Sequence, residues 1–371
     1  MAKRAHRRNL NNLLFSLFWW GIQKISPKRG RILLYWGLQS GAFPNTSVFD
    51  PVLMSGFFGH TLHTPIGIGS GFDNKANVVD DLIFMGAGFG ELGPYTLEAE
   101  NPIEEEFYLK KDKAIVVQSL GIKNPGVLRM IPTLTNRRYL PNIVGINLTS
   151  TSYSEDENIK MGRHITFEEE FDIMARKVAP FCDYITLDFS GTGTVLSTFP
   201  ADASTFVPLV KRIKKAVAEA APIQTPRIFV KLPLSMTPLE MPMVCQNMVD
   251  AGVDAAIVGA PISLFHTSIH LSKPMHAGML FGKPIKMHII EMVSRVRQFT
   301  QAQIPIIACD GIFSGRDAYD MIAAGASWLQ INTVLRYDGP TAITRINREL
   351  ARILKERGYA SVKEAIGADY R

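Results

Sequence analysis

Residues Pro305-Ile306-Ile307-Ala308-Cys309-Asp310-Gly311-Ile312-Phe313-Ser314-Gly315 carry the fold in miniature. A strand-length apolar run ends at Cys309, a glycine-bearing turn follows, and Ser314 stands where a helix N-cap belongs. The same order of strand, turn and amphipathic helix recurs from residue 65 onward, with strand-length runs at 65–71, 88–93, 143–148, 184–188, 227–232, 255–259, 305–309 and 328–332. Eight such units predict an α/β fold, a parallel (β/α)8 TIM barrel. Two long stretches interrupt the repeat. Residues 104–126, with Phe107-Tyr108-Leu109 and Ala114-Ile115-Val116-Val117, read as an extra strand pair folded over one end. Residues 262–284 separate the sixth strand from its helix and hold His266, His270 and His276. Barrels keep their sites in long loops at the C-terminal ends of the strands.

The chain has 371 residues, of which 46% are hydrophobic and 20% charged, enough for one large domain with a small appendage. The natural division is an N-terminal helical hairpin, 1–45, and a barrel, 46–371. The net charge of +6 is local: residues 1–49 contain eight Lys or Arg and no acid, leaving the rest of the chain at −2. Those cations flank Leu10, Leu13, Leu14, Phe15, Leu17, Phe18, Trp19 and Trp20, and a second helical pattern from Ile32 to Leu38 follows the break at Ser26-Pro27. This is the pattern of a two-helix, membrane-associated extension, residues 1–40 lying in the interface rather than spanning it. A packing hairpin against the barrel is the plainer alternative. The slightly acidic barrel excludes a nucleic-acid partner. Cys182, Cys245 and Cys309 are far apart and fit a reducing compartment. No acid lies between residues 255 and 290 to join the histidines there, so no metal site is expected.

Several strand ends carry polar residues. Gly311 and Gly315 after the seventh strand, Asn332-Thr333 after the eighth, and Gly282-Lys283-Pro284 can together present backbone N–H groups to a phosphate. Alternatively, Gly311 and Gly315 only shape the turn while Ser314 caps the helix. Lys231 ends an otherwise apolar fifth strand and points to an electron-rich ligand. Asn147, ending the third strand, either contacts that ligand or ties strands together. Asp188, ending the fourth strand in Asp188-Phe189-Ser190-Gly191-Thr192-Gly193-Thr194, is either a general base or an anchor for the loop that follows.

In this order, Phe49-Asp50-Pro51, Gly67-Ile68-Gly69-Ser70-Gly71-Phe72-Asp73, Gly145-Ile146-Asn147-Leu148, Val230-Lys231, Gly282-Lys283-Pro284, Arg316-Asp317-Ala318 and Ala365-Ile366-Gly367-Ala368-Asp369 resemble the class 2, membrane-associated dihydroorotate dehydrogenases. The resemblance runs from about residue 10 to the C-terminus. It implies an FMN enzyme that oxidises dihydroorotate and passes electrons to quinone through a tunnel under the N-terminal helices. Location would be the bacterial or the mitochondrial inner membrane. Carried over by position, Asn147 and Lys231 touch the flavin ring, and Gly69, Ser70 and Gly93 form the wall beside it. Gly282, Gly311 and Thr333 cradle the phosphate, with Asn332 adjoining in place of a tyrosine.

The substrate side departs from the pattern. Gly191 stands at the position of the family's catalytic serine and Gly193 at an orotate-binding asparagine, which leaves Asp188 and Ser190 as candidate catalytic groups. Asn74 replaces a lysine, although Lys75 is adjacent, and Gln118 opens a rewritten segment; these three are the candidate substrate contacts. Pro94 replaces a serine and Gly259 a threonine. At the quinone end Arg31 replaces a histidine and Tyr108 an arginine. Each buried polar group left without a partner costs roughly 1–3 kcal/mol. The expectation is therefore an FMN oxidoreductase acting on a substrate other than dihydroorotate. The alternatives are a catalytically inactive accessory subunit of a membrane complex and an active dihydroorotate dehydrogenase of pyrimidine biosynthesis with shifted catalytic residues.

Overall fold

The computed structural model describes residues 21, 27–41, 43, 47–100, 106–109, 114–119, 123–137, 142–150, 165–190, 202–259, 261–263 and 278–370. Eight parallel strands close into a barrel: β1 (Ile66–Ile68), β2 (Gly90–Tyr95), β3 (Val144–Leu148), β4 (Tyr184–Asp188), β5 (Arg227–Leu232), β6 (Ala255–Val258), β7 (Ile306–Cys309) and β8 (Trp328–Ile331). Their order around the barrel is the order of the chain, β8 pairing with β1 to close it. The expected strands are all present; β4 and β5 have the expected ends and the others differ by one to three residues at a terminus.

Alternation along each strand fills the interior in layers, as side-chain period two requires. The floor is aromatic: Phe89, Tyr184, Phe229 and Trp328 cluster there, and the Tyr184 and Phe229 rings stack with centroids 4.4 Å apart. Gly145 makes room for that layer, since a Cβ there would lie 2.0 Å from the Tyr184 ring. Below it, an unexpected antiparallel hairpin, Ser55–Phe57 and His60–Leu62, closes the bottom with Phe57, which packs edge-on against Trp328 at 4.7 Å. Two residues further along β2, β3, β4, β5 and β8 the interior turns polar, with Glu91, Asn147, Thr186, Lys231 and Gln330, and that change positions the site.

Helices cover the outside and start where the sequence places caps. Thr166 and Glu169 form a reciprocal capping box at Phe167–Val178, Asp202 caps Ala203–Ala220, and Ser314 caps Gly315–Ala324 by accepting from the Asp317 N–H. The expected extra strand pair exists as Glu106–Leu109 and Ile115–Ser119, but it belongs to a larger antiparallel sheet. Gly278–Gly282 pairs with Ile115–Ser119, and Ile262–Ser263 adds a fourth strand. The sheet ends at Gly282, beside the mouth of the barrel.

Of the N-terminal hairpin, Pro27–Gln39 is helical, and the first apolar run lies outside the described residues. Leu34 and Leu38 join the barrel core with Phe43, while Tyr35 stacks on Phe72 at 5.9 Å and donates to its carbonyl. Ile32, Leu33 and Trp36 are solvent-exposed, Trp36 at 59%. Among the described residues no helix is long and apolar enough to cross a membrane.

Candidate active site

The polar layer begins with Glu91, fully buried in β2. Its carboxylate accepts from Asn147 Nδ2 at 3.0 Å, Thr186 Oγ1 at 3.1 Å and Gln330 Nε2 at 2.9 Å, tying β2 to β3, β4 and β8. The sequence reading missed this residue; an acid inside a strand with both faces buried was the available signal.

Above Glu91, Asp188 and Lys231 sit abreast because β4 and β5 pair in that register. Lys231 Nζ donates to Asp188 Oδ2 at 2.9 Å, and Asn147 Nδ2 reaches the same oxygen at 2.9 Å. The other oxygen, Oδ1, accepts from the Ser190 N–H at 2.9 Å and from the Ser190 hydroxyl. Burial pushes the Asp188 carboxyl up, but the Lys231 charge and the Ser190 donors outweigh it and hold it below the ordinary value. For Lys231 burial is the largest single influence and pulls down, but the charge and hydrogen bond of Asp188 together with Cys309 and Glu91 outweigh it, so the ammonium stays charged. Asp188 thus anchors the start of its loop, one of the two roles read for it, and Asn147 ties strands together. Lys231 is satisfied from within the chain rather than poised alone. Gly191 through Thr194 lie outside the described residues, as do His266, His270 and His276 and the side chains of Arg31 and Tyr108.

The wall at β1 and β2 is built closely. The Gly71 N–H donates to the Gly93 carbonyl at 2.7 Å, and a Cβ at Gly93 would lie 2.8 Å from the Asn147 carbonyl. Gly69 faces Cys309 Sγ and the Gln330 side chain, and Ser70 Oγ accepts from Asn147 Nδ2 at 3.2 Å. Asn332 Nδ2 donates to the Ser70 carbonyl at 2.7 Å. Three amide oxygens in this region, Asn147 Oδ1, Gln330 Oε1 and Asn332 Oδ1, are buried with no donor among the described residues. Buried acceptors are rarely left bare, so a ligand carrying N–H groups is the natural partner.

At the end of β7 a second acid governs the geometry. Asp310 is buried, with the left-handed φ of +70° that side chains seldom adopt. Its Oδ2 accepts from the Gly282 N–H at 2.9 Å and from Thr333 Oγ1 at 2.7 Å, and its Oδ1 from the Thr333 N–H at 3.2 Å. Gly282 has φ +96°, and a Cβ on it would lie 2.2 Å from the Ala114 carbonyl, so only glycine brings that N–H here. Gly311 packs on Lys286, where a Cβ would lie 3.1 Å from the Lys286 Cα. Two of the three residues expected to cradle a phosphate, Gly282 and Thr333, thus converge through three donors on a carboxylate that the chain itself supplies. An acid inside the glycine turn was the sequence signal for it.

The candidate substrate residues stand apart from this cluster. Asn74 Nδ2 donates to the Lys123 carbonyl at 2.6 Å, Lys75 is exposed, and Gln118 is half-buried on Ile115–Ser119 opposite Met279. Asp73 beside them is structural, accepting from the N–H groups of Lys75, Asn77, Val78 and Val79.

A closed eight-stranded parallel barrel with flanking helices and a buried polar cluster at its C-terminal strand ends defines the class of TIM-barrel proteins. Residues 52–354 match the family described as dihydroorotate dehydrogenase, and the chain belongs to that family. It is 30% identical over 365 residues to the dihydroorotate dehydrogenase (quinone) of Rhodospirillum rubrum, covering 96% of this chain and 95% of the relative. It is 28% identical to the mitochondrial quinone enzyme of Mus musculus over 94% of this chain and 88% of the relative. The ligand-free dihydroorotate dehydrogenase of Eimeria tenella superposes with a TM-score of 0.80 at 26% identity, over 93% of this chain and all of that one. These relatives place the chain in class 2.

Enzymes of this family are FMN flavoproteins. The ring end of the site fits such a group: the unpaired amide oxygens of Asn147, Gln330 and Asn332 line it. At the phosphate end the donors are in place but already engaged by Asp310.

Proposed function

We propose that this protein is a membrane-associated FMN oxidoreductase of the dihydroorotate dehydrogenase family acting on a small molecule other than dihydroorotate. The observation that carries the reading is the Asp188, Lys231, Asn147 cluster at the barrel mouth, which keeps an acid and a hydroxyl together next to unpaired acceptors. Bound FMN would supply the hydride acceptor for the substrate. The chain's own part is to move the proton. Ser190 Oγ is hydrogen-bonded to Asp188 Oδ1, so Ser190 accepts a substrate proton as its own passes to the carboxylate. Lys231 holds Asp188 ionised until then. Asn74, Lys75 and Gln118, which stand apart from the Asp188 cluster, are the proposed substrate contacts, and Gly191 takes the place of the family's catalytic serine.

Residues 1–40 attach the protein to a bacterial or mitochondrial inner membrane. The exposed Ile32, Leu33 and Trp36 on the helix whose other face packs on the barrel support this. Quinone or a membrane protein complex receives the electrons. One observation favours the alternative of an inactive accessory subunit: Lys231 and the cradle donors are both satisfied by aspartates of the same chain. The test is flavin reduction by the FMN-loaded, detergent-solubilised protein under a panel of small metabolites, followed by absorbance. Bleaching by a metabolite but not by dihydroorotate supports the proposal. Bleaching by dihydroorotate replaces it with the family's ordinary activity, and no bleaching by any compound favours the accessory role.

A further inference from the structure

Three donors from two separate segments converge on the Asp310 carboxylate: the Gly282 N–H from the satellite sheet, and the Thr333 N–H and hydroxyl that follow β8. All are neutral, and two are backbone groups held by glycine geometry or by the barrel. Such a set is a built anion site. What sets this one apart is its occupant, a buried side chain at φ +70° that the turn would hold more easily as glycine.

We propose that Asp310 is a built-in competitor for the phosphate of the ligand. A phosphate monoester reaching the cradle has to displace a carboxylate from three hydrogen bonds and then sit beside that displaced charge. A ligand with the same ring and a tail ending in hydroxyl groups meets neither obstacle, because Asp310 accepts hydrogen bonds from hydroxyls. FMN in this protein is consequently an exchangeable ligand, and its phosphate contributes little to discrimination against riboflavin. Asp310 sets that specificity. The inference rests on the proposed function only in taking a flavin as the ring-bearing ligand.

The full-length, detergent-solubilised protein and its Asp310→Gly and Asp310→Asn variants are titrated with FMN and with riboflavin, following the quenching of flavin fluorescence. Their melting temperatures are also recorded with and without inorganic phosphate. The expected result is that Asp310→Gly tightens FMN roughly 10- to 100-fold relative to riboflavin, the value of one or two charge-assisted hydrogen bonds regained. Asp310→Asn, which removes the charge and tolerates the same backbone conformation, gives a smaller change in the same direction and serves if the glycine variant does not fold. Phosphate raises the melting temperature of the variants more than that of the wild type. An unchanged FMN to riboflavin ratio overturns the inference, as does an equal phosphate response in wild type and variants. A phosphate response confined to the variants, with no flavin of either kind bound, leaves this inference standing and overturns the flavin function.

Discussion

Two aspartates close two corners of the same barrel mouth in different ways. Asp188, at the end of β4, faces a cation: Lys231 lies 2.9 Å away, both are buried, and each fixes the charge of the other. Asp310, after β7, faces neutral N–H and O–H donors among the described residues. The first arrangement is a matched pair whose members cannot be removed singly. The second is a site with an occupant, and its donors remain a usable binding surface when the occupant leaves. Burial alone therefore does not say what an acid at a strand end does. The sign of its partners separates a structural pair from a ligand position.

The sharpest way to break this comparison is at Lys231. Lys231→Met leaves Asp188 buried without its counter-charge and is expected to cost about 3–5 kcal/mol in urea unfolding, the typical loss when one member of a buried pair is deleted. Replacing both members, Asp188→Leu with Lys231→Met, should recover most of that loss, because no isolated charge remains. Equal losses for the single and double variants would show that the pair is not the unit described.

The pH dependence of stability tests the same corner with a smaller effect. The folded-state pKa of Asp188 is depressed, so the unfolded chain binds more protons in the window between the two values. The stability that Asp188 contributes is present above its unfolded pKa of about 3.9 and is lost as pH falls through the lower folded value. The stability gap between wild type and Asp188→Asn should accordingly be widest near neutrality and narrow as the medium is taken below about pH 4. Unfolding midpoints at a series of pH values measure it, and a gap that widens in acid would mean that the carboxyl is protonated in the native state.

The barrel was readable from sequence because β4 and β5 are continuous apolar runs bounded by turns, and eight such runs alternate with helices. The satellite sheet was half readable. Ile115–Ser119 carries three consecutive β-branched residues, whereas Gly278–Gly282 is a strand only by pairing with it across the chain. The bottom hairpin was invisible because its strands are three residues each, with Gly56 and Gly59 breaking any pattern. At the site, Asp188 and Lys231 were found singly, since each interrupts an apolar strand end. Their pairing depends on the register between β4 and β5, which no local pattern reports. Asp310 was passed over as part of a turn because its partners stand 28 residues before it and 23 after it.

Thr333→Val is the finest probe of the second corner. It is nearly isosteric and removes one hydroxyl, the donor 2.7 Å from Asp310 Oδ2, leaving the Gly282 and Thr333 N–H groups in place. Loss of a single hydrogen bond to a charged acceptor is worth about 1.5–3 kcal/mol at most, and two remaining donors should bring the cost toward the lower end. The variant should therefore unfold at slightly lower urea than wild type, well short of the Lys231→Met loss. The contrast follows from the partners: Asp188 combines one full charge with the neutral donors of Asn147 and Ser190, while Asp310 spreads its dependence over three dipoles, any one of which is expendable. If Thr333→Val proved as costly as Lys231→Met, the hydroxyl would be acting as Asp310's indispensable partner, and the second corner would be a structural pair like the first.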